Sequence, residues 1–106
     1  MIVATTNDLP GYTVTAHLGL VRGITVRSRS VLGNLGGALQ SVFGGNLSIY
    51  TELAERARQE AYDLMCDHAR HVGADAVIAM RYDANEIMEG ITEVLAYGTA
   101  VKATRT

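Results

Sequence analysis

Apolar or small residues fall at Leu53, Ala54, Ala57, Ala61, Leu64, Met65 and Val72, and Glu52, Glu55, Arg56, Gln59, Asp63, Asp67 and Arg70 take the opposite side. Spacings of three and four put the first set on one stripe of an amphipathic helix, predicted over Ser48 to Val72. Ala, Leu, Glu, Arg and Gln dominate this stretch, and all are good helix formers. Ser48 or Thr51 is placed to cap its start, and Gly73 supplies the left-handed residue that ends a helix. Asp75 then opens an apolar run, Ala76 to Tyr82, expected to be a strand covered on both faces.

Upstream, the pattern changes to period two. Tyr12, Val14, Ala16, Leu18 and Leu20 alternate with Thr13, Thr15, His17 and Gly19, which predicts a half-buried strand over Tyr12 to Val26. That is long for one strand, so Gly19 and Gly23 are expected at a bend, a bulge or a close backbone approach. Met1 to Thr6 reads as a short edge strand, and Asn7-Asp8-Leu9-Pro10-Gly11 as a turn. Val31, Leu32, Leu35, Leu39, Val42 and Phe43 keep helical spacing among glycines, which predicts a second, shorter helix held by packing. Asp83 to Gly90 reads as a connector and Thr92 to Ala103 as a last strand, apolar or small on both faces. The expected fold is α+β with two layers: an antiparallel sheet packed by one long and one short helix, in a single domain over residues 1–106. Two strands with apolar surface on both faces exceed what these helices can cover, so a homo-oligomer is expected.

Charge and cysteine content narrow the function classes. A net charge of −2 argues against bulk nucleic-acid binding, which needs a clustered basic field, and Arg22, Arg27 and Arg29 are the only local basic cluster. The single cysteine, Cys66, excludes an internal disulfide and fits a reducing compartment. With no basic start followed by an apolar run and no membrane-length apolar segment, a cytoplasmic protein without membrane contact is expected.

The ordered set of motifs closely resembles the YbjQ family over the full length. It comprises Thr5-Thr6-Asn7 with Pro10-Gly11-Tyr12, Val26-Arg27-Ser28-Arg29, Gly44-Gly45 with Tyr50-Thr51, Ala57-Arg58 with Ala61, Gly73-Ala74-Asp75-Ala76-Val77, Glu86-Ile87-Met88, and Glu93 to Val101. The resemblance implies an α+β fold, a ring-shaped homopentamer and a heavy-metal-binding label, with no established activity. The family usually carries an acidic residue after the double glycine, where this chain has Asn46.

Three kinds of chemistry follow from the residues. Cys66, Asp67, His68 and His71 are ligand types for a divalent or soft metal within six residues. The helical wheel separates them, with Cys66 on the polar face, His68 near the middle of the apolar stripe and His71 at its edge. Asp67 and His71, four apart, form either a two-ligand site or a plain surface contact. Arg58 and Glu93 are expected as a partly buried ion pair; the alternative is a small anionic ligand held by Arg27, Arg29 or Arg58 in a pocket between subunits. The glycine-rich stretch Gly33 to Gly45 is neither a P-loop nor a dinucleotide fingerprint, and Gly44-Gly45 before the long helix is expected to be a simple turn rather than an anion site. No nucleophile motif occurs, and Cys66 beside Asp67 lacks the positive surroundings that activate a thiol. The reading is a non-enzymatic binding protein, with an enzyme lacking a recognisable motif as the remaining class.

Overall fold

The computed structural model describes residues 1–28 and 48–106. Its elements are β1 (Ile2–Val3), β2 (Tyr12–Ser28), a helix α1 (Ser48–His71), β3 (Ala76–Met88) and β4 (Ile91–Arg105). The second helix and the glycine-rich turn expected before Ser48, together with Arg29 and Asn46, lie outside the described residues.

The four strands form one sheet in the order β1-β3-β4-β2. β2 and β3 flank β4 antiparallel, while β1 lies parallel to β3 through Ile2 opposite Ala76 and Val3 opposite Val77. The sheet is therefore mixed, which corrects the expectation of a purely antiparallel one. A parallel neighbour is reached here because the chain crosses from β1 at one end of the sheet to β2 at the other and returns through α1 before entering β3. The expected connector Asp83 to Gly90 is also corrected. β3 continues through it to Met88, opposite β4, and only Glu89-Gly90 turn the chain. That extension is exposed throughout and polar at Asp83, Asn85 and Glu86, so period and hydrophobicity gave no sign of it.

α1 ends as its glycine foretells. The Ala74 N–H donates to the Ala69 carbonyl at 2.9 Å and the Gly73 N–H to the Arg70 carbonyl at 3.0 Å, with Gly73 at φ 83°. This is the Schellman arrangement, and only glycine holds that φ without strain. The following Asp75 fastens the turn to β4: its N–H donates to the Val101 carbonyl, and its carboxylate accepts from the Ala103 N–H.

The buried line along α1 is Ala57, Ala61, Met65 and Ala69, with Cys66 beside it. Leu64 and Val72, expected inside, are 46% and 41% exposed. The small residues win because the helix lies very close to β2. A Cβ placed on Gly23 would stand 2.0 Å from the Ala61 carbonyl oxygen and 2.4 Å from the Met65 nitrogen. Alanines and a glycine allow that approach, and it rotates the larger Leu64 to the rim. The core on this side joins the helix to Val21, Val77, Met80, Val94, Ala96 and Ala100. A smaller cluster on the other sheet face places Leu9 of the turn over Ala76, Ile78 and Val101.

Two register shifts interrupt β2, between Val14 and Ala16 and between His17 and Gly19. They break the simple alternation read from Tyr12 to Leu20, so Ala16 and Leu18 do not continue the row of Tyr12 and Val14. The two shifts offset each other, and Leu20, Ile24 and Val26 return to the face away from the helix, where they are 61%, 41% and 49% exposed. The exposed apolar surface therefore sits on β2 as well as on the last two strands, where Tyr82, Ile87 and Met88 of β3 are exposed and Leu95 of β4 is half-buried.

Candidate functional site

β3 carries the sharpest local departure from ideal geometry. Ala79 has φ 54°, and the β3–β4 register slips between Ile78 and Arg81. A non-glycine residue in the left-handed region is costly and persists only where its surroundings hold it. Here the Ala79 N–H donates to the Thr6 carbonyl at 2.8 Å, and the Met80 N–H to the Ala4 carbonyl at 3.0 Å. The facing Gly98 leaves the room, since a Cβ there would stand 2.5 Å from a Val77 methyl. Bulges re-aim the side chains that follow them. After this one come Arg81 and Tyr82, which with Thr5 and Met80 line an open cleft of about 510 Å³. Arg81 Nη1 donates to the Thr5 and Met80 carbonyls, each at 2.8 Å, which fixes the guanidinium across the cleft.

Two small networks flank the cleft. On the helix side Tyr62 and Cys66, one turn apart, share a side-chain hydrogen bond, and Tyr82, Arg58 and Asp63 lie within their electrostatic reach. Burial, reinforced by Cys66, pushes the Tyr62 phenol above its ordinary range. Burial also pushes Tyr82 up, against the opposing pull of Arg58. On the other face the Tyr97 hydroxyl is hydrogen-bonded to Asp83, which raises that phenol, and Arg81 opposes the effect. By register Arg81 lies directly opposite Tyr97, and Asp83 lies opposite Leu95 two positions along β4.

The cleft lies where cover on the outer edge of β3 stops. Residues 2–6 run along that edge as far as Met80. The Arg22 N–H points away from β4, so Tyr97, opposite Arg22, turns its polar backbone toward Arg81. The alternation then turns the backbone groups of Tyr82, Ala84 and Glu86 outward, beyond the last residue of β1.

The residues singled out for metal do not converge. Cys66 is 4% exposed and bonded to Tyr62, which corrects its placement on the polar face. His68 is exposed rather than central in the apolar stripe, and its Nδ1 accepts the Arg22 N–H at 3.2 Å. Asp67 pairs with Arg70 at 3.1 Å, and His71 is exposed. Among the described residues, no group of three His, Cys, Asp or Glu side chains is disposed to hold a metal ion.

Among the anion candidates, Arg27 bonds to Glu60 of α1 and donates to Thr25 Oγ1 at 2.7 Å. The expected Arg58–Glu93 pair does not form. Val94 is buried against the helix, so its neighbour Glu93 leaves from the opposite face, opposite Val26 and Asn85. Arg58 instead lies near Tyr82. Sequence reasoning missed Tyr62, Tyr82, Arg81 and the Ala79 bulge. Only the four-residue spacing of Tyr62 and Cys66 offered a signal.

A family model described as "Putative heavy-metal-binding" (YbjQ) matches residues 1–104. The chain belongs to the YbjQ family. Its relatives include a UPF0145 protein of Chromobacterium violaceum, 67% identical over 95% of this chain and 86% of the relative. Another, from Paraburkholderia phymatum, is 64% identical over 98% of this chain and 94% of its own length. The YbjQ-family fold is shared with a crystal structure of a protein of unknown function from Pediococcus pentosaceus, of the DUF74 family. That likeness has a TM-score of 0.64 at 16% identity and covers 98% of both chains. No helix among the described residues is long and apolar enough to cross a membrane.

Proposed function

We propose that this chain is a non-enzymatic binding protein that works as a homo-oligomer, with its ligand site completed where copies meet. The outer edge of β3 from Tyr82 to Met88, which no other described strand pairs with and which lies directly beside the Thr5–Arg81–Tyr82 cleft, carries this reading. An unpaired edge is a template for another strand, and Ile87 and Met88 on it are 54% and 62% exposed. β2 forms the other edge of the sheet and bears the exposed Leu20, Ile24 and Val26. Two different edges joined head to tail give a heterologous contact, which closes into a ring when the rotation allows. The number five comes from the family resemblance alone. A cytoplasmic setting suits a chain whose one cysteine is a buried thiol.

For the ligand, Arg81 in the cleft lining favours a small anion, because a guanidinium matches carboxylate and phosphate. The family description favours a heavy metal, and since the described residues of one chain gather no group of three donors, that metal would draw ligands from several copies. Native mass spectrometry of protein from its own cells is the test. The expected result is a multiple of the 11.3 kDa subunit carrying retained mass. A bare monomer at micromolar concentration overturns the proposal. Calorimetric titration of the assembly with Zn(II) and Cu(I) then separates the ligands, and saturable binding selects the metal.

A further inference from the structure

Arg81 is tethered through one nitrogen. Its Nη1 donates to the Thr5 and Met80 carbonyls, each at 2.8 Å, and a terminal guanidinium nitrogen has two hydrogens to give. The Nε–H and the Nη2 hydrogens remain. They form the side of the guanidinium whose parallel donors match the two oxygens of a carboxylate. Among the described residues no carboxylate pairs with Arg81: the ion pairs there join Arg27 to Glu60, Arg70 to Asp67 and Lys102 to Asp75. Asp83, two residues on along β3, is bonded to the Tyr97 hydroxyl. The two carbonyl bonds hold the guanidinium in place before any ligand arrives, so less freedom is lost on binding.

The cleft around this fork is divided in its chemistry. Thr5 and Arg81 are its polar lining, and Met80 and the exposed Tyr82 its apolar lining. Tyr82 adds a backbone donor, since its N–H turns off the free side of β3 just beyond the Met80 N–H that Ala4 accepts. Among the described residues Arg81 is the only basic side chain in the lining, so the cleft balances one negative charge. A doubly charged phosphate would keep one charge unmatched.

We propose that the Arg81 fork is a carboxylate site and that the cleft takes a monocarboxylic acid whose apolar body lies along Tyr82, a proposal that rests on the cleft being the ligand site and needs no residue from a second copy. Titration of the full-length ¹⁵N-labelled protein with phenylacetate tests it, read at the Arg81 Nε–H and the Tyr82 backbone N–H, with sedimentation recorded on the same samples. Both signals are expected to shift together and saturably, with a Kd of about 1 mM for a ligand of that size. Phenylacetamide, the same shape without the charge, should bind roughly tenfold or more weakly, the worth of a charge-assisted pair, and this comparison needs no variant. Phenyl phosphate should also bind more weakly than phenylacetate. Arg81→Lys keeps the charge and loses the fork, and should weaken phenylacetate by a similar factor. Arg22→Gln, on the far side of Tyr97, should leave the affinity unchanged. An acetylated tripeptide with a free or an amidated C-terminus separates the two sources of a carboxylate. Shifts spreading to Ala84 and Glu86 mark a chain end and shifts confined to the cleft a free acid, and either supports the site. Equal binding of acid and amide, tighter binding of the phosphate, or unmoved Arg81 and Tyr82 signals at about ten times that Kd would overturn it. Oligomers that bind no acid would sink the carboxylate site and leave the assembly standing; monomers that bind it would do the reverse.

Discussion

Gly23 and Ala61 are in backbone contact across the helix–sheet interface: no β-carbon fits on Gly23, since it would stand 2.0 Å from the Ala61 carbonyl oxygen. The obstacle is main chain, which cannot swing aside as a side-chain tip can. Gly23→Ala must therefore lift α1 from β2 or bend the strand. The expected loss is about 3 kcal/mol, the upper end for overpacking a tight interior. Urea unfolding measures it. Gly11→Ala is the comparison, because that glycine has open space around it but φ 86°. Its cost should be the smaller, about 1 kcal/mol of backbone strain. Equal losses would show that the contact with Ala61 is not the constraint.

Ala84 lies on the open half of β3, where its N–H faces away from β4. A proline there removes a donor the isolated sheet does not use, and edge positions tolerate that change. Ala84→Pro is expected to keep the native circular dichroism and to lose assembly. Ultracentrifugation reads the outcome. An intact oligomer in this variant would remove the β3 edge from the interface. Ile24→Lys applies the same question to the exposed face of β2, where a charge opposes association but leaves the core untouched.

Tyr62 and Tyr82 both hold their phenolic protons above the ordinary value of 10.0, in each case first through burial. The folded chain thus retains protons there that the unfolded chain has begun to release. Their contribution to stability is fully present below the unfolded value near 10 and is lost as pH rises through the folded values. Unfolding free energy should decline above about pH 10, and Tyr62→Phe should decline less steeply because one of the two groups is gone. Denaturant unfolding at graded alkaline pH, with phenolate absorbance recorded alongside, checks this. Parallel declines in wild type and variant would remove Tyr62 from the account.

Much of the scaffold was legible in the residues. The 3.6-residue repeat and Gly73 bracket α1 from Ser48 to His71, within one residue of the expected end. Gly19 sits at a bulge and Gly23 at a close approach, both among the roles expected of them. The apolar run from Ala76 marks where β3 enters the core, and Met1 to Thr6 supplies the edge strand β1. The helical wheel did less well at the site. It drew the buried line through Leu64 and Val72 and left Cys66 in water, whereas α1 settles on its alanines and turns Cys66 inward beside Tyr62.

The sequence by itself determined what local chemistry can encode: the period of each element, the glycine that ends the helix, and membership of the YbjQ family. Tertiary structure alone decided that β1 runs parallel to β3, that Ala79 adopts a left-handed bulge, that Glu93 and Arg58 part company across the sheet, and that His68 reaches Arg22 forty-six residues away. Periodicity tells which residues share a face of one element. It carries no information on which partner that face meets or how near it comes, and nearness here is set by Gly23 admitting the helix backbone.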